Sequence, residues 1–181
     1  MSMRNSFVRY GSVAQALHWT VVALLVVQVT LGTIADGLPL GIEKLAVMAR
    51  HKSFGITILG VALVRLAWRW IDPPPPLPPM PRWQLVAARL NHWGLYALII
   101  ALPVSGWLMS SAANRPASWF GLAQLPDLIR PDPGLRELFH DLHHLFIYAL
   151  YSLAGLHVAA ALKHQFVDRD GLIFRMLPGR S

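Results

Sequence analysis

The chain has no cysteine, which excludes disulfides, iron–sulfur clusters, thiolate zinc sites and thioether-attached haem. Charge is also scarce: 14% of the 181 residues are Asp, Glu, Lys or Arg, whereas 55% are hydrophobic. A soluble fold of this size needs more polar surface, so the composition places the chain in a membrane. Acids are the scarcer sign, 9 against 16 Lys and Arg, leaving a net charge of +7. With thiolates absent and carboxylates few, metal chemistry falls to the histidines. There are 8, a high number for so apolar a chain.

Four apolar stretches, at about residues 13–34, 45–71, 85–110 and 136–167, are each long enough to cross a bilayer. The expected fold is an all-α membrane protein, a four-transmembrane-helix bundle forming a single membrane domain over 1–181. The first stretch follows a short basic leader but is nearer a full span than a signal peptide, and it is kept as a helix. The positive charge is distributed by side. The N-terminus, the middle linker and the C-terminal tail hold Arg4, Arg9, Arg65, Arg69, Arg82, Arg89, Lys163, Arg169, Arg175 and Arg180, against Asp72, Asp168 and Asp170. On the other side Lys44, Arg50, Lys52, Arg115, Arg130 and Arg136 are balanced by acids. Positive residues mark the cytoplasmic side, so both termini are expected inside, N-in/C-in, with lipid rather than nucleic acid as the partner of the charge. The linker 72–81, DPPPPLPPMP, cannot be helical and reads as a polyproline II strap on the cytoplasmic side. The outer loop 111–134 contains a piece, 117–129, that reads as an interfacial lid with Trp119 and Phe120 on lipid.

Five of the histidines fall in one stretch, 139–166 (FHDLHHLFIYALYSLAGLHVAAALKHQF). His143 and His157 lie fourteen residues apart, which returns them to within about 40° of one helix face and separates them by roughly 21 Å. That spacing stacks two porphyrins within a bilayer. His157 and His164 also share a face, but at only about 10 Å. His140 and His144 lie about 100° and 140° around the helix from His157 and are weaker candidates, although either can replace His143. Sorted by depth, His18 and His157 belong to the inner half and His51 and His143 to the outer edge. A low-spin b-type haem needs two axial nitrogens on opposite faces, and these two pairs supply them.

Other positions fit the same picture. Gly32 returns to the face of His18 and leaves space at the outer level, and Gly55 clears room beside His51. Arg65 and Arg69 come back under His51 at the inner level, where they either contact haem propionates or snorkel to the surface. His92 can ligate the inner cofactor, contact a substrate, or sit at the interface. Lys163, His164 and His92 are candidates to bind or protonate a quinone carbonyl. Pro103 is an expected kink.

Several short runs, ALHW at 16–19, HKSFG at 51–55, ALPVSG at 101–106, GLH at 155–157 and FRMLPG at 174–179, occur in the order in which they resemble the bacterial cytochrome b561 family. That resemblance covers nearly the whole chain. It implies a multi-pass inner-membrane protein with two b haems, exchanging electrons with quinone, and axial iron ligation by His18, His51, His143 and His157. Within the family the chain is most similar to the stand-alone superoxide oxidase branch, which implies a superoxide:ubiquinone oxidoreductase activity with superoxide as the periplasmic donor and ubiquinone as the substrate. Arg50, Lys52 and Arg115, with His140 and His144, are then placed to steer an anion. The alternative is a cytochrome b subunit that takes electrons from a protein donor and anchors a hydrogenase or other dehydrogenase to the quinone pool.

Overall fold

The computed structural model describes residues 2–177 and 179; Arg180 and Pro178, both used above, lie outside them. Four helices, α1 (Ser12–Gly37), α2 (Ile42–Ile71), α3 (Arg82–Ala112) and α4 (Pro133–Lys163), are each long and apolar enough to cross a membrane. Each helix starts up to three residues ahead of its apolar stretch. Asp132 accepts the Leu135 N–H at 2.8 Å with Pro133 just inside the helix, so α4 starts earlier than its apolar run. α2 stops at Ile71, ahead of the proline strap. α4 does not continue as an α-helix through residue 167; it passes at Lys163 into a π-helical turn, His164–Asp168, followed by a short 3-10 turn, Leu172–Arg175.

The helices run up and down, with α1 packed on α2, α2 on α3 and α3 on α4. The ring does not close. Among the described residues no Cα of α1 comes within 8 Å of any Cα of α4. The buried core, Val21, Ile58, Ala62, Ile99 and Leu150, draws on all four helices. Leu150 lies midway in sequence between His143 and His157, so this apolar layer separates two levels of histidine.

The loop face carries a small exception to the all-helical plan. Ser118–Trp119 pairs antiparallel with Ala123–Gln124, and the turn between them uses positive φ at Phe120 (50°) and Gly121 (74°). This hairpin is fastened to α2, with Trp119 and Phe120 still 39% and 46% exposed. The Trp119 indole donates to Thr57 Oγ1 at 3.0 Å, the Phe120 N–H donates to Ser53 Oγ at 3.0 Å, and the Phe120 ring meets Phe54 edge-on at 5.2 Å.

The terminal face is knitted from three segments. The Asn5 N–H donates to Asp72 Oδ2 at 2.8 Å and its side-chain amide donates to the Asp72 carbonyl at 2.9 Å, which ties the leader to the strap. The tail then crosses from α4 towards α1. Its Arg175 carbonyl accepts from the Tyr10 N–H and the Gln15 amide, both at 3.2 Å, and its Met176 carbonyl accepts from the Trp19 indole at 2.9 Å. Arg175 in turn donates to the Pro76 carbonyl at 2.9 Å. The crossing is aimed by Asp170, which accepts from the His164 ring at 2.6 Å and from the Leu172 N–H at 2.9 Å.

Two predictions follow from these ties. At Gly11 an added Cβ would stand 2.4 Å from the Met3 carbonyl oxygen and 2.5 Å from the Arg4 carbonyl carbon, backbone atoms that cannot swing aside. Gly11→Ala should displace the leader at a cost of about 1–3 kcal/mol, read as a lower Tm in detergent. Asp170 is held below the usual carboxylate value: partial desolvation opposes its ionisation, but the Leu172 N–H, the His164 hydrogen bond and the charges of His164 and Arg175 outweigh it. A depressed folded pKa supports the tail above the ordinary Asp value of about 3.9 and loses that support as pH falls through the lower, folded value. Backbone exchange in 170–177 should therefore be fast in Asp170→Asn at neutral pH, and in the unaltered chain only below that range.

Candidate functional site

The open seam between α1 and α4 is where the inner histidines meet. The rings of His18, on α1, and His157, on α4, face each other at 6.4 Å between centroids with their planes 72° apart. Two metal–imidazole bonds of about 2.0–2.1 Å, with each ring centre about 1.1 Å behind its nitrogen, give roughly 6.3 Å between centroids. The observed spacing is close to that value. His18 Nδ1 is buried without a hydrogen-bond partner, a cost of the kind that buried polar groups carry until something occupies the seam. His92, on α3, packs edge-on against His157 at 5.3 Å, so the inner level gathers three imidazoles from three helices. α3 also fixes the height of His157. The Asn91 amide donates to the Leu153 carbonyl at 3.1 Å, and Gly94 admits Leu153 so closely that a Cβ there would stand 2.6 Å from its Cδ1.

The same level is cationic without a carboxylate. The Arg65 guanidinium lies over Tyr96 at 5.1 Å from its centroid, and Arg69 lies 5.4 Å from the Trp93 centroid and 5.7 Å from that of Tyr96. Among the described residues neither arginine has an Asp or Glu oxygen within 4.0 Å. Both are held against α3 by aromatic faces rather than freely extended to the surface, and Arg65 acts electrostatically on both His18 and His157. Tyr10, from the leader, joins them. Burial raises its phenol above the ordinary value although Arg69 pulls the other way, which leaves a neutral hydroxyl beside two unpaired cations. A flat cofactor with anionic arms suits this donor set.

At the outer level each imidazole lies against a glycine of the neighbouring helix. A Cβ at Gly32 would meet His51 Cε1 at 3.4 Å, and a Cβ at Gly106 would meet His143 Cε1 at 3.3 Å and Nδ1 at 3.6 Å. The room at Gly32 is thus filled by the His51 ring, and the room at Gly55 by the amide of Gln28, 3.3 Å from where a Cβ would be. Gln28 Nε2 lies 3.0 Å from His51 Nε2, and His51 Nδ1 is buried without a partner. A half-turn of the ring exchanges Nε2 with Cε1 and turns the nitrogen away from Gln28. His143 Nδ1 lies 2.9 Å from Ser105 Oγ. The ionisable groups that act on His143 are, in order, His51, His144 and His140, which puts the outer pair within electrostatic reach of each other.

The remaining candidates are engaged elsewhere. His140 is exposed, pairs with Asp141 at 3.1 Å and stacks on His144 at 4.5 Å. Lys163 binds Asp168 at 2.5 Å, and His164 Nδ1 sits 2.6 Å from Asp170 and 3.2 Å from Asp168. Lys52, next to His51, donates to the Arg115 carbonyl at 3.1 Å and so bridges α2 to the outer loop. Sequence reasoning missed Gln28, Asn91 and Ser105. Their signal was polarity itself, since an amide or hydroxyl deep in an apolar span is there to meet a partner.

Known proteins place this arrangement. The family described as prokaryotic cytochrome b561 matches residues 9–179. Cytochrome b561 homolog 2 of Escherichia coli (strain K12) is 34% identical over 188 residues, covering 100% of this chain and 97% of that protein. The probable superoxide oxidase CybB of Yersinia pestis is 31% identical over 173 residues, covering 94% of this chain and 96% of its own length. Cytochrome b561 homolog 1 of E. coli (strain K12) is 27% identical, with 96% and 99% covered. With its four long apolar helices and its facing imidazoles, the chain belongs to the prokaryotic cytochrome b561 family and is a membrane protein of electron transfer.

Proposed function

We propose that this protein is a dihaem b-type cytochrome of the bacterial inner membrane that carries electrons from a periplasmic donor, superoxide, to ubiquinone. The observation that carries the reading is the 6.4 Å separation of His18 and His157 across helices that otherwise stay apart. Superoxide is the favoured donor because a relative 31% identical is named a probable superoxide oxidase.

In this reading His18 and His157 hold the inner haem, His51 and His143 the outer one, and Arg65 and Arg69 offset propionate charge. Each haem, when bound, supplies a reversible one-electron carrier. The balanced reaction takes two superoxide anions, one ubiquinone and two protons to two dioxygen and one ubiquinol. With both termini inside, the loop face is periplasmic, and Lys52 with Arg50 and Arg115 draws the anion towards the outer pair. On the cytoplasmic side His164, bonded to Asp170 and Asp168, and Lys163, paired with Asp168, line the route by which quinone reduction takes up its protons. His92, packed on the His157 ring, is the inner-level group offered to the quinone head.

The test is haem quantitation with a reduced-minus-oxidised visible spectrum on protein from haem-replete cells. The unaltered chain should carry two haems. Separate Ala substitutions of His18, His51, His143 and His157 should each lose one, while His140→Ala and His144→Ala keep both. A colourless protein overturns the reading. Adding superoxide should then reduce ubiquinone, and Lys52→Ala should slow that step by roughly threefold to tenfold at low ionic strength and less at high salt. A chain that purifies only as a stoichiometric complex with a peripheral dehydrogenase is the subunit described above instead.

A further inference from the structure

The outer imidazole on α4 is held in a way that His18 and His51 are not. Ser105 is 4% exposed, and its Oγ lies 2.9 Å from the Leu102 carbonyl oxygen and 2.9 Å from His143 Nδ1. A hydroxyl has one hydrogen, so it can donate to only one of these two neighbours. Back-donation to a carbonyl three residues earlier is a common habit of serine in a helix. With the hydrogen on Leu102, the oxygen presents only lone pairs to His143. The group those lone pairs satisfy at Nδ1 is an N–H. The recess at Gly106 seats the ring against the α3 backbone and keeps Nδ1 at this address.

We infer that Ser105 is a positioning residue that locks His143 as its Nδ1–H tautomer, leaving Nε2 bare for iron and strengthening it as a ligand. This rests on the reading of His143 as an outer haem ligand. An acceptor behind the ligand ring raises its basicity and favours ferric over ferrous iron. Neither His18 Nδ1 nor His51 Nδ1 has such an acceptor. At the inner level the positive Arg65 acts on both rings and favours the reduced state. Ser105 at one level and Arg65 at the other bias the electron the same way, from the loop face to the terminal face. The run ALPVSG acquires a job: Ser105 orients and Gly106 makes room.

The experiment is a redox titration of the purified holoprotein, followed optically and by low-temperature electron paramagnetic resonance, for Ser105→Ala, Ser105→Thr and His143→Gln. Ser105→Ala should keep both haems and raise the potential of one, by about 59 mV if the ferric preference falls tenfold, leaving the other fixed. The ferric signal of that haem should shift with it. Ser105→Thr keeps the hydroxyl and should restore both. Loss of the outer haem in Ser105→Ala with retention in Ser105→Thr also supports the assignment. Unchanged potentials and signals in Ser105→Ala, in a protein where His143→Gln loses a haem, overturn the Ser105 role alone. If His143→Gln keeps both haems with unaltered spectra, the ligand reading itself fails.

Discussion

Everything in this bundle depends on one constraint: α1 and α4 must be kept apart at a fixed distance while imidazoles from each reach across. Helices packed side by side at ordinary distances of about 8–10 Å leave no room for a ring system between them. Here α2 and α3 provide the spacing. They pack closely on each other and on one outer neighbour each, and the apolar layer Val21, Ile58, Ala62, Ile99 and Leu150 sets the width at mid-height. Above and below that layer the same face of α4 offers His143 and His157. One face of α4 thus serves two levels separated by core, with α1 opposite it at His157 and, in the reading proposed, α2 opposite it at His143.

The two levels are not chemical copies. The inner level is crowded with cations, stacked arginines and a third imidazole, whereas the outer level is lined by glycine, an amide and a hydroxyl. In the dihaem reading proposed above, positive charge near one site and hydrogen-bond acceptance behind a ligand at the other act on a one-electron centre in opposite senses. A membrane electron carrier needs such a difference more than it needs a third ligand pair, because identical sites give no preferred direction.

Much of this was legible in the sequence because it obeys period and depth. His143 and His157 share a face by simple counting, and the helices are visible as apolar runs. The ends of those runs were less so, since Asp132 and Pro133 belong to the helix by capping and not by hydropathy. What could not be read was anything that joins distant positions. Ser105 and His143 are separated by 38 positions, Asn91 and Leu153 by 62, and Asn5 and Asp72 by 67, and no local pattern announces such pairs. The hairpin 118–124 went unread for a related reason. Its Trp and Phe look like lipid anchors by type and do stay exposed, but nothing local announces their partners Thr57, Ser53 and Phe54 on α2.

The tail that reaches from α4 to the start of α1 has a bearing on biogenesis. Its carbonyls at Arg175 and Met176 bind the start of the first helix, so that contact can form only after all four spans have been made. Until then the lateral door between the first and last spans has no latch. A nascent chain built in this order keeps that seam open throughout insertion of its spans and shuts it only once the segment after the last span has crossed to the first.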